Sequence, residues 1–146
     1  MNPFIDQLSD TVSKARTLEE LTRPLLEMLE AVTGLESAFL TSVDEAKGVQ
    51  HIVYAHNSRN LQIPEDRSLQ WNDSPCKRAQ DESVVFTNQV LARWPDLQVA
   101  QEIGLQTYAG VPVRTSDGGL YGTLCAVDGE ARPHRPHTEQ ALRLFA

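Results

Sequence analysis

Two β-rich runs, residues 107–115 and 120–128, flank the turn residues Ser116-Asp-Gly-Gly119 and predict a hairpin. A period of two sorts each run into faces. Leu120, Leu124 and Ala126 share one face of the second run, with Gly122 between them; Tyr121, Thr123, Cys125 and Val127 share the other. In the first run Ala109, Val111 and Val113 lie opposite Tyr108, Gly110, Pro112 and Arg114. Both faces are mostly apolar or small, which predicts strands covered on both sides, in the middle of a sheet. Pro112 lacks the N–H that a central strand needs, so a local gap in the ladder, beside a cavity, is expected there.

Helical spacing governs the start of the chain. Residues 2–15 carry Phe4, Leu8, Val12 and Ala15 at intervals of three and four. Thr17-Leu-Glu-Glu20 is a capping-box pattern, and the helix it opens runs through Leu18, Leu21, Leu25, Met28, Leu29 and Val32 to a left-handed stop at Gly34. Pro24 interrupts it at a cost of ~3 kcal/mol, so a kink or two helices in tandem are expected. One apolar stripe with a broad polar side suits helices packed on a sheet, or a bundle that also dimerises.

Residues 37–43 and 49–55 alternate around Asp44-Glu-Ala-Lys-Gly48 and predict a second hairpin. From residue 57 to 72 the periodicity disappears, which predicts an irregular binding loop or lid closed by Trp71. Ser74 as N-cap and Pro75 at the first helical position then start a helix. Residues 83–87 read as a short strand. Trp94 reads as a packing anchor for a following helix with Leu97, Ala100 and Ile103 on one face and Gly104 as its stop. A polar connection, residues 129–136, leads to an amphipathic helix with Ala141, Leu142 and Phe145 apolar. That helix runs to residue 146 without a cap, as expected of a cut through a longer protein.

Composition narrows the function classes. A chain of 146 residues suits a single domain. Its hydrophobic fraction of 40% and charged fraction of 23% are ordinary for a globular protein. A net charge of −7 argues against nucleic acid, whose phosphates call for a basic patch. No apolar run reaches membrane-span length and no signal-peptide pattern is present, so no membrane association is expected. Two cysteines make no disulfide framework, which points to a reducing cytoplasm. His51, His56, His134 and His137 have no further ligands at metal-binding spacing, so no metal is expected. Cys76 falls in the first turn of its helix, followed by Lys77 and Arg78, a setting that favours a thiolate; the alternative is a small, buried, inert side chain.

The order of these elements, together with Thr41-Ser-Val-Asp44, Gly48-Val-Gln50, Trp71-Asn-Asp-Ser-Pro-Cys76, Thr107-Tyr-Ala-Gly-Val-Pro-Val113 and Tyr121-Gly-Thr-Leu-Cys-Ala126, resembles a GAF domain. The match runs from Leu18 to the final helix and is similar to the sensory GAF domains found upstream of bacterial GGDEF diguanylate cyclase domains. The resemblance implies an α+β, GAF/PAS-like fold: an antiparallel sheet of about six strands, with N- and C-terminal helices on one face, where they commonly dimerise. A small-molecule pocket is implied on the other face. Carried over, Trp71, Asp73, Ser74 and Cys76 form the pocket wall, and Tyr108, Gly110, Cys125 and Val127 its floor. Pro75 departs from the family, where an apolar residue such as Leu or Phe is common.

The leading expectation is therefore a single GAF domain, residues 1–146, that binds an unidentified small molecule without catalysis. It would act as a homodimer and control a C-terminal output domain in cis; no cofactor is specified. The alternative is an enzyme similar to the GAF-fold reductases of free methionine sulfoxide, with Cys76 and Cys125 as thiols and Asp73 or Asp128 as the carboxylate. Against it, Cys125 and Val127 stand where the reductases carry acids. A bilin photoreceptor is disfavoured because Lys77, not His, follows Cys76. On the pocket face Cys76 would be the attacking thiol, and Cys125, its pKa raised by burial, either a resolving partner or packing. A separation compatible with a disulfide decides between them.

Overall fold

The computed structural model describes residues 9–13 and 15–145. Residues 9–13 are helical; Phe4 and Leu8 lie outside the described residues. Helix α1 (Leu18–Thr33) leads into strands β1 (Ser37–Asp44), β2 (Val49–Asn57) and β3 (Arg67–Gln70). A single 3-10 turn, Trp71–Asp73, precedes helix α2 (Pro75–Asp81), strand β4 (Phe86–Thr87), and the short helices α3 (Val90–Arg93) and α4 (Gln98–Ile103). The hairpin β5 (Thr107–Arg114) and β6 (Leu120–Asp128) follows, then helix α5 (Thr138–Phe145). The six strands form one antiparallel sheet in the order β3-β2-β1-β6-β5-β4. Among the described residues no helix is long and apolar enough to cross a membrane.

Helix α1 starts where the capping pattern puts it. The Thr17 hydroxyl accepts the Glu20 N–H at 3.1 Å, and the helix stops at Gly34 in the left-handed region, φ 74°. The returning Glu20 carboxylate accepts from the N–H of Arg16, one residue before the cap, at 2.8 Å. Of the kink or tandem helices expected at Pro24, the tandem pair does not occur: α1 is one element across the proline. Leu25, Leu26, Met28 and Leu29 are all buried beyond it. At ~1.5–3 kcal/mol for each buried side chain, they outweigh what one interior proline costs.

Each face of the sheet carries its own core. On one, Leu26 and Leu29 of α1 and Ala141 and Leu142 of α5 pack on Ala38, Ala109, Val111, Leu124 and Ala126. On the other, Phe39, Ile52, Tyr108, Cys125 and Val127 are covered by Trp71, Cys76, Trp94 and Leu97 from the crossing segments. The alternation predicted these faces with one exception, Leu120, which packs with the second set. The ladder runs Val113 to Gly122 and then Arg114 to Leu120, leaving Tyr121 as an extra residue. Such a bulge turns the strand end over.

Four further differences concern the crossing segments. The stretch expected to be irregular contains β3, paired on β2 from Val49–Gln70 to Ile52–Arg67. The rest of it is pinned: Glu36 accepts the N–H groups of Asn60 and Leu61, and Asn57 both donates to the Ile63 carbonyl and accepts its N–H. The strand expected over 83–87 is only two residues long, and α3 was not foreseen. Ile103, expected on one face with Leu97 and Ala100, is 43% exposed at the last position of α4, next to its stop at Gly104. Pro112 does sit at a gap. The Gly110 N–H reaches Val85 at 2.9 Å, and β4 pairs only Ala109 and Tyr108, so two residues further along β5 has no outer neighbour strand to miss an N–H.

Candidate functional site

The site is built around the start of α2. The Ser74 hydroxyl accepts the Lys77 N–H at 3.1 Å and donates to the Trp71 carbonyl at 2.9 Å, locking the 3-10 turn to the helix. The Trp71 N–H donates to the Gly48 carbonyl at 2.9 Å, tying that turn to the β1–β2 hairpin. With Pro75 setting the first helical φ, Cys76 is directed down onto the sheet. Its Sγ lies 3.2 Å from Sγ of Cys125, and both cysteines are buried and free.

Around the two sulfurs is a polar cluster inside an otherwise apolar core. The Tyr108 hydroxyl stands 3.4 Å from the Cys125 sulfur, and its ring packs T-shaped with Trp94, centroids 6.2 Å apart. Trp94 is anchored in turn by its indole N–H, which donates to Glu82 at 2.8 Å. Gln50 donates to the hydroxyls of Thr41 and Thr123 at 3.1 and 3.3 Å, and those two hydroxyls are 2.7 Å apart. Gly110 pairs with Cys125 across the hairpin, and a side chain there would meet the Tyr108 hydroxyl; its absence admits the phenol to the sulfur.

The two thiols are unequal. Burial disfavours the Cys76 thiolate, but hydrogen bonds with Cys125, Thr123, Gln50 and Tyr108 outweigh burial and bring its pKa down to about 6. These partners come from β2, β5 and β6, in addition to the helix start that the sequence pointed to. Burial, and then the neighbouring Cys76, push the Cys125 thiol well above its ordinary range. Burial and the two sulfurs raise Tyr108 likewise, keeping it a neutral phenol and a donor.

Two cavities meet at Cys76. The larger, about 370 Å³, lies between the sheet, β3 and α4, and is lined mainly by apolar side chains such as Phe39, Ile52, Leu69, Val99, Leu105 and Val127. Gln50 supplies a buried polar group, and the exposed side chains of Arg67 and Glu102 also line it. The smaller, about 230 Å³, is lined by Cys76, Tyr108, Gly110, Pro112, Thr123 and, from α5, Arg143. This is the cavity beside Pro112.

Of the candidate residues, Cys76 and Val127 line the larger cavity and Cys76, Tyr108 and Gly110 the smaller. Trp71, Ser74 and Cys125 are buried and do not line these two cavities; Ser74 spends its hydroxyl on capping. Asp73 lines a separate groove with Ser68, Gln70 and Gln98. Asp128 points away from Cys125 by strand alternation and is held by Arg59 at 2.8 Å and Arg132 at 3.1 Å. Sequence reasoning missed Gln50, Phe39 and Ile52, although alternation puts Gln50 and Ile52 on one face of β2. It missed Arg67 and Leu69 because β3 was read as loop.

The GAF domain family model matches residues 17–146. The chain is 44% identical over 143 residues to diguanylate cyclase DgcP of Escherichia coli (strain K12), covering 98% of the chain and 42% of that relative. Solved structures with the same fold include the phycocyanobilin-bound GAF domain of a cyanobacterial phytochrome (14% identity, TM-score 0.74, 99% of this chain and 90% of that one). Another is bacteriophytochrome RpBphP3 of R. palustris (12% identity, TM-score 0.77, 99% and 35%). Six antiparallel strands with terminal helices on one face and a cavity on the other agree with the family match, and the chain belongs to the GAF domain family.

Proposed function

We propose that this chain is a non-catalytic GAF domain that senses a small molecule and regulates a diguanylate cyclase or similar output domain fused C-terminal to it, in the bacterial cytoplasm. The observation that carries the reading is the larger cavity, about 370 Å³, and its place in the fold. It opens on the face of β1 and β6 opposite the terminal helices, so Val127 faces the cavity while Leu124 and Ala126 face α1 and α5. A ligand there is one strand thickness from the helices that would report it. Apolar walls with Gln50 inside and Arg67 and Glu102 exposed suit a molecule with an apolar body and a polar end. Binding shifts the output only as far as the ligand prefers one helix arrangement.

The output assignment is supported by the relative, itself a diguanylate cyclase, of whose length the chain spans 42%. Dimerisation through the terminal helices is supported by Val12, Leu18 and Leu144, large apolar side chains that stay about half exposed there. Native mass spectrometry under gentle and denaturing conditions tests the proposal. A retained small molecule on a dimer is the expected result; a ligand-free monomer from every cellular preparation overturns it.

One observation favours the reductase as a second reading: two thiols at 3.2 Å with Cys76 the more acidic. Neither Asp73 nor Asp128 joins them at the cavities. Turnover of the free R sulfoxide of methionine that vanishes in Cys76→Ser decides for the enzyme.

A further inference from the structure

We propose that Cys76 and Cys125 form a dithiol site that reacts with small hydroperoxides and closes to an intramolecular disulfide between α2 and β6. The reading needs no cavity ligand and no output domain. Three observations carry it. The sulfurs stand 3.2 Å apart, so about 1.2 Å of approach gives a bond of ~2.05 Å. Cys76 lines both cavities, of about 370 and 230 Å³, whereas Cys125 is fully buried beneath it. A peroxide entering either cavity therefore meets Cys76 first. Finally, the polar groups of Gln50, Thr123 and Tyr108 surround the pair in a core that otherwise holds apolar side chains, and they favour the Cys76 thiolate.

The chemistry balances without another reagent. The Cys76 thiolate attacks one peroxide oxygen, the O–O bond breaks, and the departing oxygen leaves as water after taking a proton, with Cys76 now a sulfenic acid. The Cys125 sulfur then attacks the Cys76 sulfur. The S–O bond breaks, the S–S bond forms, and hydroxide leaves as water with the Cys125 proton. Two thiols and hydrogen peroxide become one disulfide and two waters; the sulfurs are oxidised and the peroxide oxygens reduced. Closure fastens the start of α2 to the strand that also packs against α1 and α5.

The test uses the full chain, reduced, freed of thiol and given hydrogen peroxide. Intact mass is expected to fall by two hydrogens, and thiols titrated after denaturation to fall from two to none, with the chain remaining uncrosslinked to other copies. In Cys125→Ser the reaction is expected to stop at a dimedone-trappable sulfenic acid on Cys76, and in Cys76→Ser oxidation of Cys125 is expected to slow by ~10-fold or more. Wild-type protein that stays folded and keeps both thiols overturns the proposal. So does a disulfide between chains, or one formed with diamide but never with peroxide. Should a serine variant fail to fold, the wild-type mass and thiol titration decide. A disulfide without any retained ligand, or the reverse, separates this proposal from the sensory one.

Discussion

Gly110→Ala tests the architecture of the site through a single methyl group. A Cβ at this position would lie 2.2 Å from the Tyr108 hydroxyl oxygen, 2.7 Å from Cζ of that ring and 3.1 Å from Sγ of Cys125. Non-bonded heavy atoms rest at ~3.5–4.0 Å, so the phenol has to retreat by more than about 1 Å. It has little room, being 1% exposed with its ring in T-shaped contact with Trp94. Overpacking of this kind costs ~1–3 kcal/mol, and losing the Tyr108–Cys125 contact a further ~0.5–1.5. The lower chain entropy of alanine returns ~0.4–1. A net loss of ~2 kcal/mol is expected, a fall in Tm of ~6–8 °C at this chain length. Urea unfolding followed by the fluorescence of Trp71 and Trp94, both buried, measures it directly. Removing the clashing oxygen provides the control: the double variant Gly110→Ala/Tyr108→Phe is expected to cost ~1 kcal/mol less than the sum of the two single changes. A neutral or stabilising Gly110→Ala, or strict additivity in the cycle, would refute the claim that this glycine exists to admit the phenol.

The parts of the fold legible in the sequence were those set by local period and local capping. Thr17, Gly34, Ser74 and Gly104 act where their chemistry put them, because a cap is decided within four residues. Alternation sorted Tyr108, Cys125 and Val127 from Leu124 and Ala126, since a buried strand cannot slip by one residue without exposing its core set. It failed for Leu120 because the extra residue at Tyr121 belongs to the pairing of two strands and leaves no mark in either alone. β3 was invisible for a related reason. Arg67-Ser-Leu-Gln70 has no apolar alternation, and it is a strand only because β2 offers it an edge. The candidate site inherits both limits. Its residue types were readable face by face, but the 3.2 Å between Cys76 and Cys125 depends on how the crossing segment lays α2 over β6. The lowered Cys76 pKa depends first on Cys125 and then on Thr123 and Gln50, which arrive from other elements.

Gly122→Ala should be far more damaging than Gly110→Ala, since its Cβ would stand 1.8 Å from the Thr41 carbonyl oxygen, a backbone atom in the paired strand; a cost above ~3 kcal/mol and loss of the folded circular dichroism signal are expected, and a stable variant counts against the β1–β6 register. Thr17→Ala removes the N-cap of α1 and should cost ~1 kcal/mol in urea unfolding, with Thr17→Asp restoring most of it. The last expectation is a pH dependence. The Asp128 side chain is fully buried, yet hydrogen bonds from Glu130 and Glu36, the charge of Arg132 and a hydrogen bond from Arg59 outweigh burial and hold its carboxyl below the usual range. A carboxylate depressed in the folded state contributes stability that is complete above its unfolded pKa of ~3.9 and is lost as pH falls below it toward the folded value. Asp128→Asn lacks that contribution. It should be less stable than wild type at pH 7, by ~1–3 kcal/mol because the freed guanidiniums of Arg59 and Arg132 are partly exposed and keep some hydration. The gap between the two proteins should narrow as pH drops from about 5 to about 3, as wild type loses its advantage and the amide, with nothing to titrate, does not. A gap that is the same at both ends of that range would mean that Asp128 is held by shape and hydrogen bonds alone, with no part played by its charge.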